Sequence, residues 1–175
     1  MRRIVVVSII GVDRFTAGYG AAKQAHERAT MTGPVPARIL RAAQFHEFVV
    51  QLVDWSRQDG VSYVPKMRTQ LVAARTVAEA LADLATAPES PRAPRSNGTP
   101  IDEIAGPREE DLAEMARLLV ARRGDPVRIE GVSNPNDPDG DLYENGALLP
   151  GPHATLPGPT FDEWLTSGDL TEVSR

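Results

Sequence analysis

The chain has 175 residues and 18.9 kDa, with 41% hydrophobic and 25% charged residues and no cysteine, so it is long enough to bury a core as one soluble domain without disulfides. The missing cysteines exclude thiol nucleophiles, iron–sulfur clusters and cysteine-ligated zinc, and they fit a reducing, cytoplasmic location. A net charge of −5 argues against nucleic acid as a partner, and the longest apolar run, Ile4 to Ile10 with Ser8 inside it, falls far short of the roughly 20 residues that cross a membrane.

Charge and proline divide the sequence. Residues 1–87 carry 11 Lys and Arg against 7 Asp and Glu, whereas residues 88–175 carry 8 against 17 and hold 12 of the 15 prolines. A first unit over 1–87 and a proline-rich loop with a smaller lobe over 88–175 are therefore expected.

In the first unit, Arg3–Ile10 is nearly continuous in β-branched residues, the pattern of a parallel strand buried on both faces. The arginines before it imitate a short signal peptide, but no small-residue cleavage site follows before Asp13. Gly11 and Asp13 break the run, and an alanine-rich helix is predicted from about Ala17 to Thr30. A short strand follows at Ala37–Ala42. Phe45, Phe48, Val49, Leu52 and Val53 recur at helical spacing and predict a helix from Ala43 to about Arg57. A third strand is placed within Val61–Val72, and Thr76 with Glu79 forms a capping box for a helix that buries Val77, Leu81 and Leu84.

After an exposed loop over Pro88–Pro100, a short strand is predicted at Ile101–Ala105. Pro107 and the acids Glu109, Glu110 and Asp111 open a helix with core face Leu112, Met115, Ala116 and Leu119, closed by Gly124. A strand near Val127–Val132, an acidic Asn/Asp/Pro loop and a helix begun by Thr160 and Glu163 complete the chain, with Phe161, Trp164 and Leu165 as anchors. Alternating strands and helices give an α/β fold with a parallel sheet and right-handed crossovers.

The residues that could carry chemistry are Ser8, Tyr19 and Lys23. Ser8 sits near the end of the first strand, where open α/β sheets bind ligands, and Tyr19 and Lys23 lie one turn apart on the next helix. A nearby ammonium favours a phenolate, and a serine hydroxyl can hold a substrate oxygen. These parts suit proton movement alongside hydride transfer to or from a nicotinamide. Alone, YxxxK is a weak signal; its position directly after a strand carrying a serine strengthens it.

The segment RRIVVVSIIGVDRFTAGYGAAKQAHERA, followed by ILRAAQFHEFV, resembles the middle of an NmrA-like atypical short-chain dehydrogenase/reductase. Weaker likeness continues through VAARTVAEALADLA and IDEIAGPREEDLAEMARLL to FDEWL. The resemblance implies a partial Rossmann-like parallel sheet with flanking helices, plus a small substrate-side lobe, and a nicotinamide cofactor, NAD or NADP. It makes Tyr19 the acid/base, has Lys23 contact ribose and lower the tyrosine pKa, and has Ser8 orient a small carbonyl or quinone substrate. Ala43, Gln44 and Phe45 would border the nicotinamide.

Two departures from the family matter. VAARTVAEA lacks the usual acidic helix cap, and no GxxGxxG turn with its neighbouring βα units precedes the first strand. The resemblance therefore implies the carboxy-terminal portion of such an enzyme, with weak or no dinucleotide binding by these residues alone. The strand Arg3–Ile10 should lack a neighbour on one side unless a second copy or another chain covers its edge. A non-catalytic ligand-sensing or remnant module is the alternative; Tyr19→Phe separates the two, since an enzyme loses its rate and a sensor keeps its binding curve.

Other motifs are poorer. GYGAAK imitates the start of GxGxxG, but Gly18 comes too late after the strand and Lys23 stands where the third glycine belongs. His26, His46 and His153 are too scattered for a metal triad. The run Asn134–Asp141 has calcium-loop-like carboxylates without the closing glutamate, and reads as a solvated turn.

Overall fold

The computed structural model describes residues 3–88 and 101–167. The expected loop over Pro88–Pro100 thus lies, but for its first residue and its surroundings, outside the described residues. In the first half, β1 (Ile4–Ile9), a 3-10 turn (Val12–Arg14), α1 (Gly18–Thr32), β2 (Ala37–Ala42) and α2 (His46–Trp55) follow one another. Then come β3 (Arg57–Gln58), β4 (Val61–Pro65), β5 (Arg68–Thr69) and α3 (Ala74–Thr86). The second half holds β6 (Asp102–Ile104), β7 (Glu110–Asp111), α4 (Leu112–Arg123), β8 (Arg128–Val132), α5 (Gly140–Glu144) and α6 (Phe161–Thr166).

The parallel sheet is present but smaller than the alternation predicts. β1, β2 and β6 pair in parallel in that order, with Val7 beside Leu40 and Leu40 beside Asp102. The predicted strand within 61–72 does not join them. Pro65 has no N–H to extend a ladder, and the segment splits into β4, which pairs in parallel with β8 and antiparallel with β3, and β5, which pairs with β7.

β1 departs from its expected burial on both faces. Among the described residues its pairing neighbour is β2, so it lies at the sheet edge, and Ile4–Val7 are half-buried while Ser8 and Ile10 are buried. α1 and α3 both pack against β1 and β2.

Helix boundaries moved for identifiable reasons. α2 begins at His46, not Ala43, because Ala43 N–H donates to Ile104 O (3.0 Å) and Gln44 O accepts from Val72 N–H (3.0 Å), which holds 43–45 extended. The Thr76–Glu79 capping box does not form, because α3 already begins at Ala74. Its first turn is capped from α2 instead, with Ala74 N–H donating to the Glu47 carboxylate at 3.1 and 3.3 Å. α4 keeps its predicted core face and its stop at Gly124 (φ +62°), but it begins at Leu112 rather than Pro107, because Glu110–Asp111 pair as β7 with β5 and Asp111 caps the helix by accepting from Glu114 N–H (3.0 Å). α6 carries the predicted Thr160–Glu163 capping box.

The main core joins α2, α4 and α6 to β4 and β8 through Val49, Val53, Leu112, Leu119, Phe161 and Trp164. A second cluster, including Ile10, Leu40, Val77 and Ile104, seals α3 onto the first sheet. At the join stands His46, fully buried, with its Nε2 3.2 Å from Pro159 O and its ring 5.4 Å from Phe161 and 5.3 Å from Trp164. Burial pushes its pKa down to about 4, against a small opposing effect of the Pro159 carbonyl. It is therefore a neutral packing residue.

Candidate functional site

A cavity of about 370 Å³ opens beyond the carboxyl ends of β1 and β2, the place where parallel α/β sheets receive ligands. All six residues singled out from the sequence line it: Ser8, Tyr19, Lys23, Ala43, Gln44 and Phe45. They converge because one strand–helix–strand unit delivers them together. β1 brings Ser8, the first two turns of α1 bring Tyr19 and Lys23, and the extended 43–45 segment leaves β2 across the same opening.

Each side chain has a distinct environment. Ser8 is 3% exposed, and its Oγ has no hydrogen-bond partner among the described residues. An orphaned buried hydroxyl carries an energetic cost that a ligand atom would relieve. Lys23 reaches from α1 to β1, where its Nζ donates to Val7 O at 2.8 Å. That bond fixes the ammonium beside Ser8 and uses one of its three N–H donors. Tyr19 is 71% exposed at the cavity rim. The Gln44 side-chain oxygen accepts from Thr69 Oγ1 at 2.5 Å, which fixes the amide.

The rest of the lining is apolar and includes Phe15, Phe48, Met67, Tyr143 and Leu148. Phe15 and Tyr143 stand with ring centroids 5.1 Å apart at 53°, forming one wall. Burial, reinforced by the charges of Asp137 and Asp139, holds the Tyr143 phenol above its ordinary pKa, so it is a neutral hydroxyl at neutral pH. The sequence reading missed this wall. Phe15 stood close enough in sequence to be a candidate, but Tyr143 and Leu148 arrive from the far end of the chain and carry no local signal.

Two glycines have packing roles here. Gly20 faces Phe15 so closely that a Cβ would fall 2.5 Å from the Phe15 Cβ. The second glycine of the GYGAAK segment therefore makes room for an aromatic ring rather than for a phosphate. Gly11, at φ +71°, lets the backbone pass Ala147, whose carbonyl oxygen a Cβ would approach to 1.9 Å.

The acidic loop is a correction to the sequence reading. Asp139 is 4% exposed and accepts from Thr16 N–H, Thr16 Oγ1 and Ala17 N–H, each at 2.8 Å. Burial raises its pKa, but those three bonds outweigh burial and leave it below the ordinary carboxylate value. No group of three or more His, Asp or Glu side chains among the described residues is placed to hold a metal ion. Nor is any helix among them long and apolar enough to cross a membrane.

No protein-family model and no curated protein matches the chain. Solved structures do. An NADPH-dependent quinone oxidoreductase from Escherichia coli superposes with a TM-score of 0.64 at 15% identity, covering 94% of this chain and 66% of the other. A UDP-galactose 4-epimerase gives 0.62 at 17% identity, covering 98% of this chain and 64% of the other. A short-chain dehydrogenase/reductase superfamily protein from Agrobacterium tumefaciens with bound NAD gives 0.53 at 16% identity, covering 99% and 67%. The fold is a partial Rossmann-like fold. The chain spans less than two thirds of the length of the first two structures; at these identities the likeness concerns the fold.

Proposed function

We propose that this chain is the proton-transfer and nicotinamide-facing portion of an NAD(P)-dependent oxidoreductase of the NmrA-like short-chain dehydrogenase/reductase type, acting on a small carbonyl or quinone substrate. The observation that carries this reading is the meeting of Ser8, Tyr19 and Lys23 with Ala43, Gln44 and Phe45 on one cavity, with the Ser8 hydroxyl buried and unpartnered. The residues fit the nicotinamide end of a dinucleotide: an apolar slot, a fixed amide at Gln44 and an anchored ammonium at Lys23. Nothing in these 175 residues supplies a GxxGxxG turn for the pyrophosphate.

When bound, the nicotinamide supplies or accepts a hydride. The chain's own residues handle the proton and the substrate oxygen. Ser8 Oγ–H donates to that oxygen and holds it next to Tyr19. The Tyr19 hydroxyl gives a proton to the oxygen in reduction and takes it back in oxidation, and its exposure at the rim lets it exchange that proton with water. Lys23, held by Val7 O, keeps a positive charge beside this transfer and directs its remaining donors to a ribose hydroxyl. Phe15, Tyr143 and Leu148 keep water away from the reacting carbonyl.

The open edge of β1 fits a further strand from a preceding segment, or a second copy of this chain, completing the sheet. A ligand-sensing module is the second reading, since the same cavity with its unpartnered Ser8 hydroxyl would hold a ligand without turnover. The upstream reading frame gives the protein to assay: an in-frame GxxGxxG is expected about 90–110 residues before Met1, from the βα units a dinucleotide site needs. In that longer protein, Tyr19→Phe is expected to lower the rate of NADH or NADPH oxidation by at least about a hundredfold with ligand binding retained. Measurable binding with no turnover in the unaltered protein would favour the sensor instead.

A further inference from the structure

The acidic loop has a use that its composition hides. α1 begins after Ala17, which brings no side-chain cap of its own. The two residues that lead into it are held instead by Asp139, more than 120 residues away, which accepts from Thr16 N–H, Thr16 Oγ1 and Ala17 N–H through both carboxylate oxygens. The loop is shaped to aim that carboxylate: Asn136 N–H donates to Asn134 Oδ1 (3.0 Å), Asp139 N–H to Asp137 Oδ1 (2.9 Å), and Leu142 N–H to Asp139 O (3.0 Å).

The two segments joined in this way lie side by side in the cavity lining. Residues 12–20 contribute Val12, Phe15, Tyr19 and Gly20 to its lining, and residues 139–148 contribute Tyr143 and Leu148. They touch at three points: the Asp139 bonds at one end, the Phe15–Tyr143 rings in the middle, and the Gly11 backbone against the Ala147 carbonyl at the other end. Of these, the Asp139 bonds lie nearest the helix start that carries Tyr19.

We infer that Asp139 is a positioning residue that latches the segment 139–148 onto the start of the helix carrying Tyr19 and Lys23, and so sets the width of the cavity between the proton-transfer end and the Phe15–Tyr143 wall. The catalytic side of this inference rests on the function proposed above; the latch itself does not. Asp139 touches no reacting atom and acts through the geometry of Tyr19.

Amide hydrogen exchange on the intact chain tests the latch without needing turnover. Asp139→Ala is expected to speed exchange at residues 16–23 and 140–149 by about tenfold or more, the scale of lost charge-assisted hydrogen bonds, with β8 and α4 at their original rates. Asp139→Asn restores most of the protection, because its oxygen still accepts the two backbone N–H groups and its amide donates to Thr16 Oγ1. If Asp139→Ala fails to fold, Thr16→Val, which removes one of the three bonds, carries the decision through the same two segments. Unchanged exchange, or acceleration spread evenly over the chain, overturns the latch. In the longer protein, Asp139→Ala should lower kcat more than it raises KM, with rescue by Asn; a normal kcat overturns the positioning role. Local acceleration in a protein that shows no turnover at all leaves the latch standing and removes the proposed function.

Discussion

Gly20 offers a test in which two ordinary effects oppose each other. In a helix interior, Gly→Ala normally gains about 1 kcal/mol through propensity. At this position the added Cβ would fall 2.5 Å from Phe15 Cβ, 2.6 Å from its Cγ and 3.0 Å from its Cδ1, well inside the roughly 3.5–4.0 Å at which carbon atoms pack. The nearest atom, the Phe15 Cβ, is bonded to the backbone and cannot swing aside, so the ring and the 3-10 turn before it must move together. Such overpacking costs about 1–3 kcal/mol, which leaves Gly20→Ala destabilising by roughly 0–2 kcal/mol after the propensity gain. Urea unfolding of the variant measures this, and Ala25→Gly on the exposed face of the same helix measures the propensity effect alone, as a loss of about 1 kcal/mol. Displacement of Phe15 should also separate it from Tyr143 and weaken ligand binding in the cavity. A Gly20→Ala protein more stable by about 1 kcal/mol, with binding intact, would refute the packing argument.

Two further outcomes follow from the core and the caps. His46 has a folded pKa of about 4 against an ordinary 6.5, so the unfolded chain takes up its proton first. The stabilisation is fully present above pH ~6.5 and is lost as pH falls towards ~4, by about 3 kcal/mol at most. Unfolding at about pH 7.5 and about pH 4.5 should show this loss in the native sequence and its absence in His46→Gln. Glu47→Ala removes the acceptor for Ala74 N–H and is expected to cost about 1 kcal/mol with faster exchange in the first turn of α3, whereas Thr76→Ala leaves that turn protected.

What the sequence revealed and what it hid follow from the range of the interactions involved. Ser8, Tyr19 and Lys23 could be grouped because they fall within one strand–helix unit, where strand end and helix start meet by local geometry, whereas residues 43–45 were added by the family resemblance alone. The β-branched run marked β1 as a strand buried on both faces, which it is not, and only the absence of the preceding βα units pointed to its edge position, because strand pairing is not local. The strand expected within 61–72 was placed in the wrong sheet for the same reason: alternation predicts strands, and Pro65 with the later partner β8 decides the ladder. Caps showed both outcomes. Thr160–Glu163 formed because α6 begins directly after Thr160, while Thr76 lies inside α3, whose first turn is capped by Glu47, a carboxylate from the neighbouring helix. Asp139 looked like a solvated acid because its partners, Thr16 and Ala17, are distant in sequence. His46, read first for a metal motif, is explained by the Phe161 and Trp164 rings that enclose it.

The central claim, that this cavity receives the nicotinamide end of a dinucleotide, is tested most directly by mapping fragment binding on the isotopically labelled 175-residue chain by nuclear magnetic resonance. Reduced nicotinamide mononucleotide should bind weakly and shift amides in Val7–Ile9, Gly18–Lys23 and Ala42–Phe45, while ADP-ribose, the half that needs the glycine-rich turn, leaves them unmoved. Shifts from ADP-ribose at those amides, or none from the nicotinamide fragment, would contradict the account.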